Sequence, residues 1–460
     1  MTRTHFKSYT ETKDSGIEWL GRIPVHWEAA RLKSLASINL SNVDKKTEEG
    51  QEPVQLCNYV DVYKNEYITP DMEFMAASAT REQIRRFALQ AGDVLITKDS
   101  ESWDDIAVPA CVEEDLPGVL CGYHLALIRP DRERSTGRYL ARAFASVGLR
   151  DQFWVSANGI TRYGLTGDAI STGVLPSPPA EEQRTIADFL DRETAKIDAL
   201  VEKKEQLIEL LQEKRTALIT HAVTKGLDPD VPMKDSGIEW LGQIPAHWDV
   251  PPLYARYEVD LGKMLDSKRI TGEHLLPYLR NVDVQWDRVS VDDLPEMDVL
   301  PYEIGRYTLR EGDLLVCEGG EVGRTAVWRG ELPVCAYQKA VHRLRPRVET
   351  EHPRFLFYVM RAAASLGVFL ARRNPNTIPH LTGEQLRKYR FAFPPGEEQQ
   401  AIAGFLDCET AKIDALIAKV REAIERLKEY RTALISATVT GKIDVRGLVK
   451  EGDRLAGGCH

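Results

Sequence analysis

The chain lacks most signatures of catalysis. No GxxxxGK[ST] phosphate loop, no GxGxxG turn after a strand, no HExxH and no GxSxG elbow occurs in its 460 residues, which removes the common nucleotide, zinc and serine-hydrolase sites. Nor is there the Asn-Pro-Pro-aromatic loop of amino-methyltransferases; "RNPNTIPH" (373–380) resembles it only superficially. Cysteine is sparse. The seven (Cys57, Cys111, Cys121, Cys317, Cys335, Cys408, Cys459) form no CxxC pair, so reduced, mostly buried thiols are expected rather than a disulfide framework or a metal site. No apolar run approaches the ~18 residues of a membrane helix, and "MTRTHFKSYTETK" has no apolar stretch after its charges, so a cytoplasmic protein without a membrane is expected. An excess of positive charge is missing too: 60 Lys and Arg face 70 Asp and Glu, a net charge of −10.

What the chain does contain, it contains twice. "KDSGIEWLG" occurs at Lys13–Gly21 and again, letter for letter, at Lys234–Gly242. It is the edge of a larger repeat. "SGIEWLGRIPVHW" (15–27) matches "SGIEWLGQIPAHW" (236–248), and the segment 181–226, beginning "EEQRTIADFLDRETAKIDAL", matches 397–442, beginning "EEQQAIAGFLDCETAKIDAL". Between these anchors the halves diverge, but landmarks persist: "VDV" at 60 and 282, "GDVLI" at 92 and "GDLLV" at 312, "CGYH" at 121 and "CAYQ" at 335, "LTG" at 165 and 381. The chain is a tandem duplication of one skeleton with two contents. At 43% hydrophobic and 28% charged residues it has the composition of a globular protein, and its length suggests two to four domains.

Each half reads as an α+β module followed by a long helix. Short β-branched and aromatic runs between Gly, Pro and Asp ("GDVLITKDS", "GYHLALIRP", "GDLLVCEGG", "ELPVCAY") predict strands and turns, whereas 138–153 and 353–371 carry helical spacing. In the repeated segment Leu190, Ile197, Lys204, Leu211 and Leu218 recur every seven residues, with Thr194, Val201, Ile208 and Arg215 between them. The second copy gives Leu406, Ile413, Val420, Leu427 and Leu434, with Thr410, Ile417, Ile424 and Arg431 between. Both are a/d seams of a coiled coil. Each begins after a proline-rich stop with glutamates in the first turn, where the helix dipole favours them. A duplication that folds about a pseudo-two-fold axis makes the two helices antiparallel partners. About 35 helical residues then form a rod on the order of 50 Å, with a module near each end. His26 and His247, with no ligand spacing near either, fit a packed corner with Trp27 or Trp248 buried better than a metal site. "DSESWDDIAV" (99–108), with no matching dyad in "EGGEVGRTAV" (318–327), reads as a solvated loop.

"DSGIEWLGxIPxHW" opening each half, "GDLL" within it and "EEQxxIAxFLDxETAKIDAL" closing it resemble the specificity subunits of type I restriction-modification systems, over nearly the whole chain. The resemblance implies two tandem homologous target recognition domains (1–180 and 227–396), each followed by a conserved helix (181–226 and 397–442), and a tail (443–460). It implies that each domain reads one half of a bipartite site on double-stranded DNA, and that the antiparallel helices set the gap between the halves. It also implies no catalysis and no cofactor in this subunit. The resemblance further implies that two methyltransferase (modification) subunits dock on it and bring S-adenosylmethionine chemistry, with restriction subunits attached through them. A specificity subunit of a related bipartite-site enzyme, a coiled-coil scaffold that touches no DNA, and a self-contained nuclease or methyltransferase are the alternatives; the missing motifs oppose the last.

Charge does not by itself argue for DNA: residues 1–180 hold 20 basic and 25 acidic residues, and 227–396 hold 22 and 24. Arginines concentrate locally, at 81–90, 129–144, 341–349 and 370–376, where they could meet phosphates. Base contacts need polar side chains on loops held by a rigid frame. Two loop pairs lie between shared landmarks and differ in content: 97–105 against 317–325, and 157–164 against 373–380. The candidates are Lys98, Ser100, Asn158, Thr161, Arg162 and Tyr163 in the first half, and Arg324, Gln338, Lys339, Asn374, Asn376, Thr377 and His380 in the second. Lys196 and Lys412, exposed on the repeated helices, are candidates for partner contact.

Overall fold

The structure, a computed structural model, describes residues 6–265, 271–370 and 380–448. The chain forms two compact units, one from residues 1–204 with 422–460 and the other from 205–421.

In the first unit five strands run in the order Ala36–Leu40, Leu125–Pro130, Val94–Thr97, Pro109–Val112, Tyr67–Ile68. Neighbours are antiparallel except the last pair. Val94, Ile96, Ala126 and Ile128 enter one core, with the helix Gly137–Phe144 and the start of a long helix. Leu95, Leu125 and Leu127 enter a second core, shared with a sheet of Met75–Ala79, Glu52–Cys57, Leu116–Cys121 and Ala88–Leu89. A period of two with both faces buried explains why these strands read as unbroken apolar runs. The second unit repeats the plan. Tyr257–Leu261, Val341–Pro346, Leu314–Cys317 and Thr325–Val327 form an antiparallel sheet. Leu314, Val316 and Leu344 face one core, and Leu315, Cys317 and Val341 the other.

The landmarks shared by the halves are frame. In each Gly-Asp pair the glycine takes a positive φ, +84° at Gly92 and +89° at Gly312. The Asp93 carboxylate accepts the Gln90 N–H at 2.9 Å and grips Arg129 at 2.8 and 2.7 Å. Asp313 does the same with the Arg310 N–H at 2.7 Å and with Arg345 at 2.7 and 2.6 Å. The aspartates of "VDV" are caps: Asp61 accepts the Asn58 N–H and Asp283 the Arg280 N–H, each at 2.7 Å. One expectation is corrected: 138–153 is not one helix but two, Gly137–Phe144 and Val147–Ser156, with Ser146 at the second N-cap position.

The repeated segments are single helices, the central one Ala180–Lys225 and the C-terminal one Gly396–Val439. They are antiparallel in each unit. In the first, Arg431 donates to Asp198 at 2.9 Å, and the beginning of the central helix shares a corner with Gly441, just past the end of the other. In the second, Arg215 lies 3.3 Å from Asp414, and Gly226 lies against Glu398 and Trp248. The two ion pairs occupy equivalent positions of the repeat. Leu190, Ile197, Leu427 and Leu434 are buried in the first unit's core, with Val201 packed against it. Leu406 is in the second unit's core, with Leu218 against it, while Leu211, Ile413 and Ile417 form a small cluster with Ile208 beside them. Val420 and Ile424 are buried as well.

The duplicated nonamer explains itself here. In each unit it forms the turn of a hairpin, Thr12–Asp14 with Arg22–Pro24 and Met233–Asp235 with Gln243–Pro245, and leads into a fully buried Trp27 or Trp248. His26 Nε2 lies 2.8 Å from Glu182, and His247 Nε2 lies 2.8 Å from Glu398. The following glutamine completes the "EEQ" motif. Gln183 accepts the Thr136 N–H at 3.0 Å and donates to Pro178 O at 2.9 Å; Gln399 accepts the His352 N–H at 2.9 Å and donates to Pro394 O at 3.0 Å. Corner, long-helix start and module are thereby joined, which is why these short motifs recur while the sequence between them drifts.

Candidate nucleic-acid interface

In the first unit the loops after the buried strand Val94–Thr97 and before "LTG" meet. Asp99–Ser100 pairs antiparallel with Tyr163–Gly164. The Lys98 carbonyl accepts the Leu165 N–H at 2.8 Å, and the Lys98 N–H donates to His124 O at 3.0 Å. Gly159, at φ +139°, closes the 157–164 loop; a β-carbon there would come 1.8 Å from Arg162 O, so no other residue fits this turn. All six candidates of this half thus gather at one strand end, but they do not present themselves equally. Lys98 is buried, its ammonium paired with Asp99 and 4.7 Å from the Tyr123 ring centre. Ser100 is buried with its hydroxyl 3.2 Å from that of Tyr59. These two support the site rather than face solvent. Asn158, Thr161 and Arg162 form the outer edge, with Tyr163 half-buried.

The centre of this cluster is His124. Arg162 Nη2 lies 3.2 Å from both of its ring nitrogens, and Asp99 lies 3.4 Å from Nδ1. Burial pushes the imidazole below its ordinary value, and Arg162 adds to this against Asp99. At neutral pH the ring is therefore an uncharged donor and acceptor. Around it stand Tyr123, half exposed, and the stacked pair Tyr59 and Tyr63, with ring centres 5.6 Å apart. Sequence reasoning missed these four. The signal was present: "CGYH" aligns with "CAYQ", and Gln338 was chosen while its counterpart His124 was not.

The second unit carries the same backbone clasp, with the Leu381 N–H donating to Glu318 O at 2.7 Å and the Glu318 N–H to Ala340 O at 3.0 Å. Arg324 turns inward. It donates to Asn281 O at 2.8 Å, lies 3.8 Å from Glu321 and is only 13% exposed, so it braces its loop. Gln338 is half-buried beside Lys263, while Lys339 and His380 are exposed. Asn374, Asn376 and Thr377 lie outside the described residues.

A second correction concerns the arginine runs. Arg129 is held by Asp93, Arg345 by Asp313, and the buried Arg343 by Asp260 at 2.5 Å. Arg138 and Arg142 converge on Asp191, which also accepts the Tyr67 hydroxyl at 2.8 Å. These cations are spent on the fold, because a buried guanidinium needs a carboxylate within reach. Two carboxylates of 99–108 are likewise engaged: Asp99 with Lys98, and Asp104 with Ser102. Among the described residues no group of His, Cys, Asp and Glu could hold a metal ion, and no helix is long and apolar enough to cross a membrane.

A family model described as the type I restriction modification DNA specificity domain matches residues 268–426. The MjaVIII specificity subunit of Methanocaldococcus jannaschii, a type I restriction enzyme subunit, is 23% identical over 441 residues, covering 93% of this chain and 95% of that one. Among solved structures, a chain from a study of the assembly and conformational transition of a type I R-M system superposes with a TM-score of 0.65 at 20% identity, covering 92% of this chain and 99% of that one. The HsdS subunit of Thermoanaerobacter tengcongensis superposes at 0.54 and 20%, covering 92% and 98%. The structural likenesses carry the fold, both units and both long helices included. The specificity-domain match in the second half, the repetition of its skeleton in the first, and the full-length relative all make the chain similar to the specificity subunits of type I restriction-modification systems.

Proposed function

We propose that the chain is a non-catalytic reader of a bipartite duplex site, each module (1–180 and 227–396) recognising one half. The observation that carries this is the pair of equivalent strand ends, clasped by the same backbone hydrogen bonds, at which polar side chains differ: His124, Arg162 and Asn158 in one unit, Gln338, Lys339 and His380 in the other. A rigid frame with exchanged loop chemistry is what two readers of different sequences require. The repeated helices 181–226 and 397–442, which share EEQ, FLD, ETAKIDAL and RTALI, offer one surface twice, so they receive two copies of a methyltransferase subunit, through which restriction subunits join. Lys196 and Lys412, each paired with a glutamate three residues earlier, lie on that surface. The chain needs no cofactor of its own. The paired helices are the ruler between half-sites.

Methylation-sensitive sequencing of host DNA should return one bipartite motif. Exchanging residues 28–180 for those of a relative should change one half-site and leave the other and the gap intact; a change in both halves would sink the modular reading. Inserting four residues after Ala199 and again after Ala415 adds about one turn, ~5.4 Å, and should widen the gap by about one or two base pairs. An unchanged gap in a folded, active variant would remove the helices as the ruler.

A further inference from the structure

Two arginines stand apart from the paired ones. The guanidinium groups of Arg150, on Val147–Ser156, and Arg361, on Pro353–Ser365, make no hydrogen bond or ion pair among the described residues, and each lies over an indole: Arg150 at 5.1 Å from Trp154, Arg361 at 5.5 Å from Trp286. Each lines a cavity, of about 270 Å³ in the first unit and about 250 Å³ in the second. The facing wall is the same in both: Arg431, Thr432 and Ile435 of the C-terminal helix in one, Arg215, Thr216 and Ile219 of the central helix in the other. These triplets are repeat partners, whereas the opposing arginines are not. Position 361 corresponds to Ala145, so the modules arrive at one arrangement from different residues. Burial lowers the basicity of both guanidinium groups, with Arg215 adding to the effect on Arg361, and the Nε of Arg150 and of Arg215 is buried without a partner. An unpaired, half-buried cation costs stability unless an anion arrives.

The cavity walls continue into the reading loops. Trp154 packs edge-on to Trp103 at 5.1 Å, Tyr63 stacks on Tyr59 beside Ser100, and Trp286 donates to Glu321 at 2.5 Å. A ligand that lies on the loops and also sends an anionic group into the cavity is a nucleic acid backbone. We propose that the cavities are matching phosphate seats, in which Arg150 with Arg431, and Arg361 with Arg215, receive backbone phosphates of the duplex that each unit reads. The inference rests on the DNA-reading function. It also answers the acidic balance of the chain, since attraction then depends on a few local cations, Arg150 and Arg361 being unpaired and Arg431 and Arg215 each held by carboxylates, and not on bulk charge.

The test uses the full chain assembled with its methyltransferase subunits, titrated over a salt series with a random-sequence duplex and with a duplex carrying the methylation-mapped site. Arg150→Gln and Arg361→Gln should each weaken binding to both duplexes about tenfold near ~0.1 M salt and lower the slope of log K against log salt by about one. The preference for the mapped site should be unchanged, and Arg361→Lys should keep most of the slope. Thermal midpoints should equal or exceed wild type, because a desolvated charge has been removed. Unchanged affinity and slope on the random duplex would overturn the seats. So would a lower thermal midpoint, which would assign the arginine to the fold, or loss of methyltransferase subunits from the variant by mass, which would assign the cavity to an acidic side chain of that partner. A wild-type complex that binds the two duplexes equally would instead overturn the reading of bipartite sites, with the seats still judged on the random duplex.

Discussion

The corner around Trp27 and the corner around Trp248 share a nonamer and a position, yet they satisfy their glutamate differently. Glu182 accepts the Tyr9 hydroxyl at 2.6 Å beside His26, and the Trp27 indole N–H is buried without a partner. Glu398 accepts the Trp248 indole N–H at 3.1 Å beside His247. The repeat thus preserves the place of the glutamate and the burial of the tryptophan, while the second donor is interchangeable. A tyrosine from outside the repeated motif has replaced an indole within it. The same rule holds across the molecule: what positions a strand end is kept, and what hangs from it is free to change.

The sharpest way to break the equivalence of the units lies at Asp191 and its counterpart Asp407. Asp191 serves Arg138, Arg142 and Tyr67, whereas Asp407 serves Arg354, which keeps Asp287, and Tyr358. Asp191→Ala should cost about 3 kcal/mol in urea unfolding, and Asp407→Ala about 1 to 2 kcal/mol. Equal losses would show that the second arginine contact adds nothing. Burial pushes the Asp191 carboxyl up, but Arg142 and Arg138 outweigh it and hold it below the ordinary carboxylate value. A carboxyl depressed in the folded state gives stability that is complete above its unfolded value near ~4 and is lost as pH falls through the folded one. Amide exchange in the first unit should therefore accelerate below about pH 4, and Asp191→Asn should flatten that dependence.

The helix-terminal glycines come next. Both hold positive φ, +72° at Gly441 and +76° at Gly226. A β-carbon at Gly441 would meet Pro24 Cδ at 2.4 Å, while at Gly226 the nearest atoms stand at 3.4 Å. Gly441→Ala should lower stability by about 2 to 3 kcal/mol, and Gly226→Ala by about 1 kcal/mol, the conformational term alone. Matching losses in thermal unfolding would mean that Pro24 yields at no cost.

The reading edges predict a difference in kind. Arg162→Ala should relax the first half-site at one position and Lys339→Ala the second, by about 1 to 2 kcal/mol each where a base edge is contacted. Scoring methylation at mutated sites checks this, and a uniform loss over all sequences would make them phosphate contacts. The smallest effect belongs to the cross-helix pairs. Arg431→Met and Arg215→Met should each cost about 0.5 to 1 kcal/mol, since Asp198 and Asp414 are half exposed. Arg431→Met should cost the more, because Arg431 also reaches Glu66.

The long helices and the corners were legible because their order is local: a seven-residue period, a proline stop, a Pro-x-His-Trp turn. The strand ends were legible because two diverged copies frame them with shared landmarks. What could not be seen was which cations are already engaged. Arg129 finds Asp93 across neighbouring strands, and Arg343 finds Asp260 over 83 residues of chain. Such pairing is a matter of sheet order, which no run of arginines reveals. The turn of Lys98 was hidden for a related reason: a lysine at the end of a buried strand turns onto Asp99 and Tyr123 once the second loop closes over it. His124 was passed over because its motif looked like scaffold, yet its ring lies between Asp99 and Arg162 at the strand end.

The unequal indoles of the two corners have a spectroscopic consequence. Trp27 and Trp248 are fully shielded from water at matched junctions, and of these two only Trp248 donates to a carboxylate. Its indole proton should resonate downfield of that of Trp27 in a proton–nitrogen correlation spectrum. Each unit therefore holds a native reporter of the joint between its module and its helices, and the pair would tell on which side a bound duplex or a docked partner is felt.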